Sequence, residues 1–385
     1  MSRSRFAVAV AAAMLLVLSA PFLGQFRSAL RRTFPDQFVW IVGGLIAAAV
    51  VAGVVMAAIR IRERRLWRYG AIVSALVLAG VYALVNAGEN RDSNVVELFH
   101  FLQYGVVTFL FYRACLPLGD AAVFVLPLLA GLVVGAAEEW FQWFLPARVG
   151  EIRDLALNLA AIACGLLFSA GASPPSSFGA RLGAASTALT ARFAAVTLIA
   201  LGAFVHSVHL GHVIADEEVG RFESRYSRER LLRLQAERMA AWRREPPPAV
   251  LRRVSREDQY LTEGIQHAQW RNRLWDAGDV SGAWCENRIL ERYYFPVLDV
   301  RSYAAPAGVR WPDAQRADAE RRAVEATRGD LVATCSSAAY PYPIFTWPVV
   351  PFWIVVGGCA GLMLVAARLR APDATGRSVR PSRAG

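Results

Sequence analysis

The chain of 385 residues contains no lysine, so each of its 42 basic side chains is an arginine. This absence excludes a Schiff-base lysine and a lysine general base. The sequence also lacks a glycine-rich phosphate loop, an H-E-x-x-H helix and a C-x-x-C pair. These absences argue against P-loop nucleotide hydrolases, zinc peptidases of that signature and thioredoxin-like redox proteins.

Charged residues are scarce within several long apolar runs, in a chain that is 55% hydrophobic with a mean hydropathy of +0.34. Each run is long enough to cross roughly 30 Å of hydrocarbon. We therefore predict an all-α, polytopic helical membrane protein. The predicted spans lie at about 6–24, 38–59, 69–87, 95–113, 120–141, 153–171, 193–213 and 347–367.

The first apolar run follows Met-Ser-Arg-Ser-Arg and is open to two interpretations. It could be a signal peptide, but Pro21 follows Ala20 and the small-residue cleavage pattern is poor. We therefore expect an uncleaved membrane anchor.

The distribution of arginine predicts the orientation in the inner (plasma) membrane. The short loops on one side carry about fifteen arginines and those on the other side about six, although RSALRR at 27–32 is on the minority side. The positive-inside rule then places both termini in the cytoplasm and residues 214–346 outside the cytoplasm. The soluble region mixes Arg with Asp and Glu, so no nucleic-acid partner is expected.

The same pattern divides the chain into segments. We predict a six-span unit at 1–171, a cytoplasmic linker at 172–192, a seventh span at 193–213, an extracytoplasmic helical domain at 214–346, an eighth span at 347–367 and a cytoplasmic tail at 368–385. Within the outer domain, helices are expected at about 256–277, 279–294 and 312–328, with Asp279 and Asp313 as starting residues. We also expect one unbroken helix from about 193 to at least 240, with Gly211 and Gly220 as its weak points.

Polar residues occur where three of the apolar runs begin or end. Glu97, His100 and Tyr104 are spaced i, i+3 and i+7, so they share one helix face. Ionisable groups at membrane depth are costly and are commonly paired or functional. This face is the first part of a predicted site.

The second part lies around the turn between the fifth and sixth spans. It comprises Glu139 and Gln142, then Arg148, Asp154 and Asn158. Each residue alone could have a structural role, through the helix dipole or hydrogen bonds between helices. Because several polar groups should lie at one depth on three helices, we predict that the two parts form one binding site.

These motifs resemble those of the VanZ-like family, named after a teicoplanin-resistance membrane protein. The resemblance covers residues 90–168 and rests on E-x-x-H-x-x-x-Y-G at Glu97–Gly105, E-x-x-Q at Glu139–Gln142 and R-x-G-x-x-x-D-x-x-x-N at Arg148–Asn158. Two positions depart from the family pattern. Glu97 stands where many members have Lys, and Ala161 stands where a Gly is often expected, with Gly165 one turn later. The resemblance implies a polytopic envelope protein linked to glycopeptide resistance, whose molecular activity is poorly defined.

Two functions fit these residues. In the first, the site binds a polar or anionic lipid-linked envelope component, with Arg148 on phosphate and the carboxylates on sugar or peptide groups. In the second, His100 with Glu97 or Asp154 carries out acid–base chemistry on a lipid headgroup, with Ser93 or Tyr104 as the nearest nucleophile candidates. We favour binding, because the sequence shows no obvious nucleophile.

A third interpretation concerns His206, His209 and His212 at the end of the seventh span. On one helix these imidazoles would cover about a third of the circumference and could bind zinc, copper or haem iron in a metal- or redox-linked subunit. The alternative is histidine at a membrane–water boundary, and no cofactor is the simpler expectation. A helix alone rarely supplies a complete set of metal ligands.

The outer domain contains two of the five cysteines, Cys285 and Cys335, and one of the five histidines, His267. An even pair of cysteines in an oxidising compartment predicts a disulfide, with two buried thiols as the alternative. Tryptophan, tyrosine and arginine are abundant there, as in protein-contact surfaces. We therefore expect the outer domain to contact a protein partner, and we give His267 alone no catalytic role.

Overall fold

The structure is a computed structural model that describes residues 1–88, 90–143, 151–245, 259–301, 308–327, 335–340 and 343–369. Within this part of the chain, eight helices are long and apolar enough to span a membrane. They are α1 (Arg3–Thr33), α2 (Phe38–Arg60), α3 (Arg65–Val85), α4 (Arg91–Cys115), α5 (Ala122–Trp143), α6 (Ile152–Ala172), α7 (Ala184–Val208) and α12 (Val349–Leu369). The predicted all-α, multi-pass class is confirmed.

The chain forms two compact units. The first unit comprises Met1–Glu138, Ile152–Gly202 and Trp353–Gly385, and the second comprises Glu139–Glu151 and Ala203–Phe352. The first unit therefore holds most of the apolar helices. The second unit holds the last turn of α5, the end of α7, the beginning of α12 and the soluble elements.

Small residues bring the helices of the first unit close together. A Cβ atom on Gly165 of α6 would lie 3.0 Å from the Cα of Gly105 in α4. A Cβ atom on Gly131 of α5 would lie 2.8 Å from the side chain of Ile162 in α6. Small residues at such crossings let helix backbones approach where no hydrophobic force drives association. These crossings place α6 against both α4 and α5.

Arg68 of α3 stabilises the C-terminal end of α6. Its Nε donates to the carbonyl of Gly171 at 2.8 Å, and its Nη2 donates to the carbonyl of Ala172 at 2.9 Å. The last carbonyls of a helix have no N–H donor within the helix itself, and a cation also complements the dipole there. A buried arginine thus joins α3 to α6.

The second unit contains a β-hairpin and four further helices among the described residues. They are β1 (His212–Asp216), β2 (Gly220–Ser224), α8 (Arg228–Arg244), α9 (Gln259–Asp276), α10 (Val280–Tyr293) and α11 (Asp313–Thr327), with a 3-10 helix at Phe295–Asp299. The three helices predicted for this region are confirmed. Asp279 caps α10, because its side chain accepts from the N–H of Gly282 at 2.9 Å.

The predicted unbroken helix from about 193 to 240 is wrong, and so is the expectation that the outer domain is helical throughout. α7 ends at Val208, and an antiparallel hairpin pairs Ile214 with Phe222 before α8 begins. Gly220 has a positive φ of 84°, which suits a three-residue hairpin loop. Buried residues recur at every second position toward the turn in both strands, which is a period-2 pattern. The many charged residues of this segment obscured that pattern in the sequence.

Asp216 organises the hairpin turn. Its Oδ1 accepts from the N–H of Glu218 at 2.8 Å, and its Oδ2 accepts from the hydroxyl of Tyr293 at 2.5 Å and from Arg228 at 3.0 Å. Burial alone would raise the pKa of Asp216, but these three donors outweigh burial and lower it to about 2. The carboxylate therefore ties the hairpin to α8 and α10.

The predicted disulfide between Cys285 and Cys335 is formed, with the two Cα atoms 5.5 Å apart. It joins α10 to a segment that extends the hairpin, since the N–H of Arg221 donates to the carbonyl of Cys335 at 2.9 Å. Both sulfurs border the main core of the unit. That core contains Ile214, Phe222, Leu231, Tyr260, Ile289, Leu290, Tyr293, Tyr294 and Val297.

Candidate functional site

One face of α4 meets a cation on α6. The carboxylate of Glu97 lies 3.1 Å from the guanidinium of Arg153, and Glu97 is the more buried partner. Arg153 was missed by the sequence analysis, which selected its neighbour Asp154. The run Glu151-Ile152-Arg153-Asp154, in which acidic residues flank one arginine, was the sequence signal that could have identified Arg153.

Asp154 belongs to the same neighbourhood. The charges of Arg153, Glu97 and Asp154 all act on the phenol of Tyr82 in α3. The ring of Tyr82 also packs against Phe101 of α4, with centroids 5.7 Å apart. Residues from α3, α4 and α6 therefore converge at the end of the bundle that contains the starts of α4 and α6.

A buried hydrogen bond lies farther along α4. The hydroxyl of Tyr104 donates to Oε2 of Glu138 in α5 at 2.5 Å, and both side chains are almost fully buried. The imidazole of His100 stacks on Tyr104, with centroids 6.4 Å apart and an interplanar angle of 17°. The imidazole therefore contacts the phenol, and the phenol contacts the carboxyl group.

Glu138 was also missed, because the sequence analysis chose Glu139. A step of one residue turns a helix side chain by about 100°. Gly131, Gly135 and Glu138 are spaced i, i+4 and i+7, so they share one face of α5. Recognising Gly131 and Gly135 as a helix-packing pair would have identified Glu138.

Asn158 is completely buried between α5 and α6. A Cβ atom on Gly135 would lie 3.5 Å from the Asn158 amide nitrogen. Within the described part of the chain, neither the oxygen nor the nitrogen of this amide has a hydrogen-bond partner. The hydroxyl of Thr108 in α4, which lies beside Gly165, also has no hydrogen-bond partner among the described residues. The amide of Asn158 therefore has unused donor and acceptor capacity. A buried polar group without a hydrogen bond costs about 1–3 kcal/mol.

Three other predicted site residues follow Glu138 along the chain. Glu139 and Gln142 are buried in the last turn of α5, which belongs to the second unit. Arg148 lies outside the described residues. The cluster of the first unit consists of Tyr82, Glu97, His100, Tyr104, Glu138, Arg153, Asp154 and Asn158.

The three histidines near the end of α7 do not lie on one helix. Only His206 belongs to α7, and His212 begins β1. His209 is buried, and its Nδ1 lies 2.9 Å from the carbonyl oxygen of Pro343. Burial lowers the pKa of His209, and the charge of Arg225 acts in the same direction. No metal-binding group of three His, Cys, Asp or Glu side chains occurs among the described residues, and the single-helix premise of the metal hypothesis is wrong.

α9 carries a second set of buried polar residues. Glu263, His267 and Arg271 are spaced by four and therefore share a face that points into the second unit. His267 Nδ1 lies 2.6 Å from Oε2 of Glu286 in α10, so the histidine that seemed isolated in sequence has a carboxylate partner. Both residues are about 1% exposed, and their contact joins α9 to α10.

Arg271 shows how this polar stripe is satisfied. Its Nη1 donates to Oδ1 of Asn287 at 2.8 Å, its Nη2 donates to the carbonyl of Val309, and the guanidinium covers the ring of Trp311 at 4.4 Å. Burial lowers the pKa of Arg271 to about 10. The tryptophan- and arginine-rich sequence is thus used for internal packing at this position.

Comparison of the chain with family models, with curated proteins and with solved structures finds no match.

Proposed function

We propose that this protein binds a polar or anionic lipid-linked envelope component through the cluster on α3 to α6 of the first unit. The observation that carries the proposal is the buried, unmet amide of Asn158 beside Gly135. A primary amide both donates and accepts, and so it suits hydroxyl and peptide groups of such a ligand.

The charges nearby support a ligand with mixed chemistry. Arg153 is paired with Glu97 but remains largely exposed, so it can also contact phosphate. Tyr104 and Glu138 add a phenol and a carboxyl group in the buried part of the cluster. Such a set of groups in a membrane bundle more often serves a site than a helix contact alone.

The test is lipid retained by the purified full chain, identified by mass spectrometry. We expect wild-type protein to retain one class of polar lipid and Asn158→Leu to lose at least nine-tenths of it. Because the leucine removes an unmet polar group, the melting temperature should stay the same or rise.

Ser169→Ala is a matched control on the same helix, since Ser169 is buried but donates to the carbonyl of Gly165 at 2.6 Å. It should keep the lipid. Tyr104→Phe provides a second variant that removes only one oxygen. Retention of the same lipid by both Asn158→Leu and Tyr104→Phe would reject the proposed site.

The stacking of His100 on Tyr104, which binds Glu138, favours one alternative function. This is acid–base chemistry on the lipid headgroup, with His100 as the proton carrier. Incubation of the lipid with wild-type protein should then change the headgroup, whereas His100→Gln should bind it unchanged. An unchanged headgroup with both proteins supports binding alone.

The resemblance of residues 90–168 to the VanZ-like family supports a role in glycopeptide resistance or envelope maintenance. Cells that lack the protein should then be more sensitive to a glycopeptide, and wild-type protein should restore the resistance. Asn158→Leu should fail to restore it. Full restoration by Asn158→Leu would separate the resistance from the proposed site.

We also propose that both termini are cytoplasmic and that residues 214–346 lie outside the cytoplasm. The disulfide supports this orientation, because such bonds persist in oxidising compartments. In a background without the three free cysteines, Glu237→Cys on α8 should react with a membrane-impermeant maleimide in intact cells. Glu237 is a suitable position because its side chain is 57% exposed. Reaction only after permeabilisation would reverse the proposed orientation.

A further inference from the structure

A pocket in the second unit lies between α10, the 3-10 helix at Phe295–Asp299 and the segment that leads into α11. Its volume is about 380 Å³, which falls in the range of pockets that hold small molecules. Its described lining combines two arginines and two carboxylates with a buried amide and two aromatic rings. All of these residues belong to Ala203–Phe352, so the pocket shares no residue with the cluster on α3 to α6.

Backbone hydrogen bonds hold the walls of this pocket together. The carbonyl of Leu298 accepts from the N–H of Val309 at 2.9 Å and from the N–H of Arg310 at 3.0 Å. Gly308 has a φ of 91°, and a Cβ atom there would lie only 2.7 Å from the same carbonyl oxygen. The segment before α11 can therefore approach the 3-10 helix because residue 308 is a glycine.

The arginines of the lining are paired with carboxylates. Arg316 donates from Nε to Oε1 of Glu291 at 2.6 Å and from Nη2 to Oε2 at 2.9 Å. Arg310 pairs in the same way with Asp299, with both distances 2.8 Å. The charges of Glu291 and Asp313 act on both arginines. An anion would have to displace a carboxylate from a two-bond pair, so the lining favours an uncharged ligand.

The polar groups of the lining keep hydrogen-bonding capacity for such a ligand. Glu291 also accepts from Nδ2 of the buried Asn287 at 2.9 Å, so three donors occupy a carboxylate that has about four acceptor positions. Asp299 uses two N–H groups of the Arg310 guanidinium, which carries further donors. Asp313 is exposed at the start of α11. The pocket therefore presents acceptors and donors side by side.

Aromatic surface accompanies these polar groups. Phe295 is 39% exposed, and the guanidinium of Arg310 lies over its ring at 4.6 Å. The buried ring of Trp311 packs against Trp275, with the ring centroids 5.3 Å apart. The face of an aromatic ring carries partial negative charge, so it suits the weakly positive C–H groups on one side of a sugar ring.

We propose that this pocket binds an uncharged sugar unit. Each hydroxyl group of a sugar both donates and accepts, so neighbouring hydroxyls match the carboxylates and guanidinium groups of one lining. The C–H side of the ring matches Phe295 and Trp311. A free sugar and the end of a glycan chain share this chemistry. Phe295, Arg310 and Asp313 are all exposed, so the pocket is open to either source.

The test is saturation-transfer NMR on the full chain in a detergent without a sugar headgroup, because a maltoside or glucoside would compete. The probes are glucose, galactose, mannose and their N-acetylated amino sugars, and the corresponding amines and uronic acids serve as charged controls. We expect at least one uncharged sugar to bind about threefold more tightly than its charged counterparts. The methyl glycoside of that sugar distinguishes the sources, because equal affinity identifies the end of a glycan and loss of binding identifies the free sugar.

Phe295→Ala should weaken the binding of that sugar about tenfold, because it removes the exposed aromatic ring. Phe295→Trp keeps an aromatic surface and should keep most of the affinity. Val324→Ala is the matched control, since Val324 is 41% exposed on α11 and does not line the pocket. It should leave the affinity unchanged.

Asp313→Ala is a second variant at an exposed residue, with an expected loss of about fivefold, and it keeps the test informative if Phe295→Ala folds poorly. Asp318→Ala is its control on the same helix, because Asp318 pairs with Arg321 and Arg322 outside the lining. Wild-type affinity in both Phe295→Ala and Asp313→Ala would overturn the proposal. So would a wild-type protein that binds none of the uncharged sugars, or that binds a charged counterpart as tightly.

Discussion

Replacement of both Cys285 and Cys335 by alanine is expected to lower the free energy of unfolding of the second unit by about 3–4 kcal/mol. The bond closes a loop across 50 positions of sequence, and in the chain-entropy model such a link stabilises mainly by restricting the unfolded chain. It joins α10 to the segment that pairs with β2, so its loss also frees the edge of the hairpin. The measurement is urea unfolding of the full chain in detergent, followed by tryptophan fluorescence.

Cys359→Ala is the control, because Cys359 is a free and exposed cysteine of α12. It should leave the unfolding midpoint unchanged. Reduction of the wild-type protein should reproduce the effect of the double replacement. An unfolding free energy within about 1 kcal/mol of wild type, for the double variant and for the reduced protein, would show that the disulfide contributes little.

The second large effect is expected at Glu263. Its carboxylate accepts from the hydroxyl of Ser224 at 2.6 Å, from the N–H of Arg225 at 3.0 Å and from the hydroxyl of Tyr294 at 2.7 Å. Burial and the neighbouring carboxylate raise the pKa of Tyr294 well above its ordinary value, so this phenol stays a donor. Glu263→Ala leaves all three donors without their acceptor and should cost about 3–5 kcal/mol.

Glu263→Gln separates the loss of acceptors from the loss of charge. The amide oxygen retains part of the accepting capacity, so we expect a smaller cost of about 1–2 kcal/mol. Thermal unfolding of the full chain, monitored by circular dichroism, ranks the two variants. If both variants unfold at the wild-type temperature, the buried network around Glu263 does not hold the hairpin against α9 and α10.

Features that depend on local pattern were accessible from the amino-acid sequence. A run of about twenty apolar residues has few alternatives to a membrane-spanning helix, since only a helix satisfies its own backbone in hydrocarbon. All eight predicted spans correspond to helices for this reason. The start of α10 at Asp279 was equally accessible, because capping involves residues within one turn.

Features that depend on pairing between distant residues required the tertiary structure. The hairpin of 212–224 was predicted as helix because its charge density masked the alternation that burial later revealed. Glu138 was absent from the predicted site, because only packing against Tyr104 shows that this carboxylate faces α4. Local spacing could not show that Glu263 binds Ser224, or that His267 binds Glu286, because each partner lies on another element. Membrane segments and helix starts thus followed from the sequence alone, whereas the polar clusters followed from contacts that only folding creates.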